Sequence, residues 1–280
     1  MTTPSLPTPP SPPVQLGRVL PIAVHPPPGT GATKLLERYL TLYRRRWWIL
    51  ATGVLEPVFY LLGVGFGIGS LVGTVSVGGR QLPYPVFVAP ALMAAAAMNG
   101  AIFDSTFGVF FRLKYAKIYE SMLATPIGVA DIALGEIGWS LLRGLVYSGA
   151  FICFMAALHL VASPWALLAV PAASLVGFAF AACGCAAATF VRSWNDFDLV
   201  QLVLLPLFLF SATFYPVTVY PEGVRFAVEL SPLYRSVDLL RALTTGGLGW
   251  SIAADVGYLL AMGGLGLWLT SRRLGRLLLR

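Results

Sequence analysis

Apolar residues fall along the chain in long runs, separated by short stretches that hold most of the charge. The runs extend from about Ile49 to Val72, Val86 to Phe111, Ile137 to Leu160, Trp165 to Val191, Leu199 to Tyr215 and Ile252 to Leu269. Each is close to the roughly 17 to 25 residues that a helix rising 1.5 Å per residue needs to cross about 30 Å of hydrocarbon. The pattern predicts an all-α integral membrane protein with six transmembrane helices. Ahead of the first run, Leu35, Leu36, Tyr39, Leu40 and Tyr43 recur at helical spacing, while Lys34, Glu37, Arg38, Thr41 and Arg45 fill the other side. This predicts an amphipathic interfacial helix over residues 32–48. Arg44 to Trp48 forms its basic and aromatic edge, as at a cytoplasmic membrane boundary. Between the second and third runs, Tyr115 to Thr125 reads as a short helix ended by Pro126. From Pro216 to Gly249, the semi-polar patches Val224 to Leu230 and Tyr234 to Leu243 are broken by Pro221 and Pro232. A re-entrant helical hairpin between the fifth and sixth spans suits that pattern, because irregular backbone at membrane depth must be buried in protein or line a cavity.

Charge fixes the orientation. Lys34, Arg38, the arginines at 44 to 46, Arg112, Lys114, Lys117, Arg192, Arg272, Arg273, Arg276 and Arg280 all fall on the side that holds both termini. By the positive-inside rule that side is the cytoplasm. The composition, 57% hydrophobic and 11% charged, excludes an ordinary soluble domain, which carries about a quarter charged residues. The net charge of +7 sits in clusters beside apolar runs rather than on a basic face, so nucleic acid is not an expected partner. Residues 1–31 hold ten of the 21 prolines and no basic residue before Arg18, which predicts a disordered cytoplasmic tail rather than a signal peptide. The tail's end, Pro28 to Leu35, lacks the glycine before Lys34 and the Ser or Thr after it that a phosphate-binding loop requires. Residues 49–280 form the membrane domain. Cys153, Cys183 and Cys185 all lie in apolar runs, and the last two diverge on a helix, so no disulfide is expected between them.

Several stretches resemble the ABC type 2 permeases, especially those similar to the nodulation lipo-oligosaccharide exporter and related drug-resistance permeases. They are Glu56-Pro57 followed by Gly63, Gly65, Gly67 and Gly69; Asp104 to Gly108; Tyr119 to Thr125; Asp131 to Ile137; Ser211 to Pro216; Ser231 to Tyr234; and Asp238 to Arg241. The likeness runs from about Leu35 to the C-terminus. It departs at Ala212, where the family commonly has glycine. The resemblance implies a multi-pass protein of the plasma (inner) membrane, working as two copies with two copies of a separate ABC ATPase. ATP and Mg would be bound by that partner, and no cofactor by this chain. It also implies an amphiphilic, lipid-linked or glycolipid-like substrate, or a drug, moved out of the cytoplasm. In the family the helix corresponding to Tyr115 to Thr125 couples the ATPase to the spans, so Tyr115, Lys117, Tyr119, Glu120, Met122 and Leu123 are expected at that contact, as an exposed apolar knob with a charged rim. The same segment lying in lipid headgroups is the alternative. The residues at 32–48 resemble the family's connecting helix, which also leans on the ATPase.

Polar residues inside hydrocarbon cost a few kcal/mol each and call for a partner or a water-filled path. Glu56, Asp104 and Arg143 share a depth of roughly 9 to 12 Å from the cytoplasmic edge, by residue count along their helices. Arg143 is expected to pair with Glu56, Asp104 or both, and Asn99 lies about a turn from Asp104. The cluster either contacts substrate or only ties helices together. Tyr60, Phe103, Phe107, Phe110 and Phe111 are candidates for an aromatic path, with packing as the plainer role. An ion-coupled transporter or channel without an ATPase is the alternative function, although no inverted repeat is evident. With His25 and His159 the only histidines and no Gly-x-Ser-x-Gly motif, neither a catalytic nor a metal site is expected.

Overall fold

The computed structural model describes residues 30–278, apart from 46, 78, 113–117, 119–121, 123–124, 126–127 and 192. Helix α1 (Thr30–Arg45) precedes α2 (Trp47–Tyr60). The latter continues through a wider π-helical stretch (Leu61–Ile68) into α3 (Gly69–Val72). A small antiparallel hairpin follows, β1 (Thr74–Val77) and β2 (Arg80–Pro83), with Val75 opposite Leu82. Next come α4 (Tyr84–Phe103) with its π-helical extension Asp104–Gly108, and α5 (Val129–Ala157). A 3-10 turn (Pro164–Leu168) leads into α6 (Ala169–Ala188), followed by α7 (Asp196–Leu209). The chain closes with α8 (Glu222–Leu230), α9 (Pro232–Thr245) and α10 (Ser251–Leu278). Local signals set several of these ends. The Asp131 carboxylate accepts from the Gly128 N–H at 3.2 Å where α5 begins. Helix α9 opens on Pro232 and stops at Gly246, whose φ of 81° is open to glycine at little cost.

Five stretches are long and apolar enough to cross a bilayer: Gly53–Val72, Tyr84–Gly108, Leu134–Ala157, Pro164–Ala188 and Ser251–Arg273. The protein is therefore a multi-pass, all-α membrane protein with five such helices among the described residues, where the sequence predicts six. The difference lies in the run from Leu199 to Tyr215. Its helix α7 has 14 residues, about 21 Å at 1.5 Å per residue. Composition stays apolar beyond its end, but the backbone turns. The Phe210 N–H closes on the Pro206 carbonyl at 2.8 Å, and the Ser211 hydroxyl donates to the Phe208 carbonyl at 2.8 Å. Ala212 then adopts a left-handed φ of 53°, the conformation that glycine takes most easily. Helices do form at both semi-polar patches beyond this turn, as α8 and α9.

Helix α6 is the centre of the bundle, with α4, α5 and α10 around it. The close approach of α10 depends on Gly266, where an added Cβ would lie 2.7 Å from the Ala182 carbonyl carbon. Phe87, Met98, Phe151, Met155 and Leu259 are buried in the main core. The glycines of the first span divide by face. A Cβ on Gly65 would meet Leu61 at 2.8 Å, whereas Gly63 and Gly67 face open space. Only some of that stripe serves close packing within the chain. Helix α1 lays its apolar face on the start of α5: Leu35 fills the space over Gly135, and Tyr39 stacks on Trp139 at 5.4 Å.

Candidate functional site

Helices α2, α4 and α7 wall a groove made of two adjoining cavities of about 290 and 660 Å³. Glu56, Asn99, Gln201 and Leu204 line both. Helical periodicity places each wall: Gly53, Glu56 and Tyr60 on α2, Leu92, Asn99 and Phe103 on α4, and Gln201, Leu204 and Phe208 on α7. Asp104 and Arg143 line the larger cavity as well. All four residues of the intramembrane polar set thus face one space.

Their pairing is narrower than the sequence suggests. Arg143 is buried, and its guanidinium forms an ion pair with the Asp104 carboxylate. It also donates to the Gly100 carbonyl at 3.0 Å and lies 5.5 Å from the Tyr147 ring centroid. Among the described residues Glu56 has no ion pair or hydrogen bond, and it is exposed to the groove. Depth along the helices brings Glu56 and Arg143 to one groove, but helix rotation gives Arg143 to Asp104. Charges on the lining then sum simply: Asp104 and Arg143 cancel, and Glu56 leaves the groove anionic.

Of the aromatic candidates, Tyr60, Phe103 and Phe107 line the groove. Phe107 also stacks on Phe197 with centroids 3.9 Å apart. Phe110 is buried instead, packed edge-on against Phe197 at 5.1 Å and Trp194 at 5.9 Å. Phe111 is exposed and outside the lining. Sequence reasoning passed over Gln201, Tyr43 and Tyr147, which the lining includes. Gln201 carried a readable signal, a polar side chain inside an apolar run, the same signal that marks Asn99.

At the end of the groove nearest α1, a second polar set joins three elements. Glu136 accepts from the Tyr39 hydroxyl at 2.6 Å and pairs with Arg112 at 2.7 Å, while Arg112 also lies over the Tyr39 ring. Burial, with the adjacent Glu136 carboxylate, raises the Tyr39 phenol above its ordinary pKa. It therefore remains a donor at neutral pH. Of the expected ATPase-contact residues, Tyr115, Lys117, Tyr119, Glu120 and Leu123 lie outside the described residues. Met122 is described and is not exposed as expected: it is buried in a cluster with Leu35, Val109 and Ile132. At the opposite end, Arg235 on α9 donates to Asp255 on α10 at 3.2 Å. Arg241 packs 4.0 Å from the Phe87 ring centroid and donates to the Ala212 carbonyl at 3.0 Å. Among the described residues no cluster of His, Cys, Asp and Glu suits a metal ion.

Known proteins resemble this chain along most of its length. Nodulation protein J of Rhizobium leguminosarum bv. trifolii is 32% identical over 226 residues, covering 80% of this chain and 85% of the relative. Nodulation protein J of Sinorhizobium fredii (strain NBRC 101917 / NGR234) is 31% identical over 202 residues, 72% of this chain and 76% of the relative. Residues 32–244 match the family described as ABC-2 type transporter, a stretch that contains all but the first two residues of α1, the groove and both polar sets. The chain is a member of the ABC-2 type transporter family.

Proposed function

We propose that this chain is the membrane-spanning permease subunit of an ATP-driven exporter of the plasma (inner) membrane, with both termini cytoplasmic. Two copies of it, with two copies of a separate ABC ATPase, move an amphiphilic, lipid-linked or oligosaccharide-bearing substrate outward. The observation that carries this reading is a groove with a polar wall and an apolar wall, inside the stretch that matches the family. Glu56, Asn99, Gln201 and Asp104 offer hydrogen bonds to a polar head, and Leu204, Leu205 and Phe208 offer apolar surface to a chain. The resemblance of the quoted stretches to permeases similar to the nodulation lipo-oligosaccharide exporter supports a lipid-linked, oligosaccharide-bearing substrate.

The stretch from Tyr115 to Thr125 is the ATPase contact in this proposal, and its buried residue Met122 belongs to the same apolar cluster as Leu35 of α1. Helix α1 relays motion from that contact into α5 through Tyr39 and Glu136. Residues 32–48 act as the connecting helix, and α8 with α9 forms the outer hairpin.

The test is purification from membranes followed by ATPase and export assays. An ABC ATPase is expected to copurify. The double variant Tyr119→Asp, Leu123→Asp is expected to insert normally but lose substrate-linked export. Full export by the isolated chain without nucleotide would refute the proposal.

A further inference from the structure

The groove's charge balance says more about its occupant than its shape does. Three charged side chains line it, Glu56, Asp104 and Arg143, and two of them neutralise each other. The remaining Glu56 carboxylate stands at membrane depth without a partner among the described residues. An unpaired charge there is costly, and a cation brought into the groove offsets that cost. Asn99 and Gln201 line the same cavity and carry amide oxygens, and Tyr60, one turn along α2, adds an aromatic ring of the kind that attracts a cation. Beyond these polar groups the smaller cavity continues along Leu204, Leu205 and Phe208.

Resting on the reading of this groove as the substrate path, we propose that it selects an amphiphile with a net positive charge on nitrogen. The ammonium group sits against Glu56, within reach of Asn99 and Gln201, and the apolar chain lies along the α7 wall. Anionic amphiphiles are disfavoured, because the Arg143 guanidinium that would receive them is already held by Asp104. The occupant is a substrate amphiphile and not a resident lipid. A zwitterionic headgroup would bring its phosphate beside Glu56.

Binding of three probes to the permease–ATPase complex in phosphatidylcholine nanodiscs tests this, with empty discs subtracted. The probes are dodecylamine, its neutral N-acetylated counterpart and dodecanoate. At neutral pH the amine is expected to bind about tenfold more tightly than the acetylated probe, the scale of one charge-assisted contact, and dodecanoate most weakly. Glu56→Gln is expected to bring the ratio close to one, and Glu56→Asp to retain the preference. Equal binding of amine and neutral probe by the unmodified protein overturns the inference and leaves the groove as a substrate path. So does a preference that survives Glu56→Gln. Loss of amine binding when phosphatidylethanolamine is added to the discs assigns the site to lipid headgroups and also overturns it. Failure of all three probes to saturate overturns the inference and the substrate path together.

Discussion

Glu136 meets both Tyr39 and Arg112, and the two contacts differ in what their loss leaves behind. Removing the Tyr39 hydroxyl takes away one donor, but the carboxylate keeps its 2.7 Å contact with Arg112. Removing the carboxylate's charge takes this ion pair from a guanidinium that is only 22% exposed. Breaking a fully buried pair from one side costs about 3 to 5 kcal/mol. Because Arg112 keeps some access to solvent, Glu136→Gln is expected at the lower edge of that range or below it. A single buried hydrogen bond is worth about 1 kcal/mol, so Tyr39→Phe is expected to cost roughly a third as much. Thermal unfolding of the two variants in one detergent checks the order. A more damaging Tyr39→Phe would mean that the Tyr39 hydroxyl, rather than the ion pair with Arg112, is the contact of Glu136 that fixes α1 on the bundle.

At the scale of elements, α8 and α9 are held to the last span by contacts of unequal strength. The Arg235–Asp255 pair joins α9 to α10, and the Tyr258 hydroxyl donates to the Leu230 carbonyl at 3.0 Å where α8 ends. Asp255 is fully buried, yet among the described residues only one of its oxygens meets the guanidinium, at 3.2 Å, and neither Asp255 Oδ2 nor Arg235 Nε has a hydrogen-bond partner there. A single contact of this kind is weaker than a two-pronged one. A double-mutant cycle of Asp255→Asn and Arg235→Gln is therefore expected to give a coupling of about 1 kcal/mol, and additivity within about 0.3 kcal/mol would show that the pair does not fasten the hairpin. Asp255 carried the same sequence signal as Glu56, a carboxylate in an apolar run. It lies near the start of its run, where charge is ordinarily read as a boundary. Run length made the five long helices legible, since it is a local property. The end of α7 was not legible, because hydroxyl-to-carbonyl bonds and a left-handed Ala212 stop it while the composition stays apolar. The groove's polar residues were legible by depth, but not the choice of Asp104 over Glu56, which depends on how three helices rotate against each other. Met122 shows the same limit: residue type suggested a surface knob, and the fold of Leu35 and Ile132 around it made a core.

For the molecule as a whole, α7 is the element one chain leaves least supported. At about 21 Å it falls short of the roughly 30 Å of hydrocarbon. The groove lies on one flank, and an apolar cavity of about 590 Å³, lined by residues of α6 and α10 among others, lies on the other. Its outer side is centred on Leu202, with Leu205 at the edge toward the groove and Leu199 at the edge toward the apolar cavity, and all three are more than half exposed. Lipid tails are as apolar as leucine, so burial against lipid alone does not position such a helix, and packing against protein does. In the proposed assembly of two copies, the second supplies that surface. In a background with Cys153, Cys183 and Cys185 replaced by alanine, at least one of Leu199→Cys, Leu202→Cys and Leu205→Cys is expected to form a covalent dimer under mild oxidation. Disulfides need Cβ atoms within about 4.5 Å, which is why three positions are tried. Leu265→Cys is the control: Leu265 is 66% exposed against 67% for Leu202, but it sits on α10, which packs along α6, and is expected to stay monomeric. Exposure alone would predict the same result for both, so a difference between them reports on the neighbour. Monomer at every α7 position, in a complex that still exports, would place α7 against lipid and require one chain to close the groove by itself.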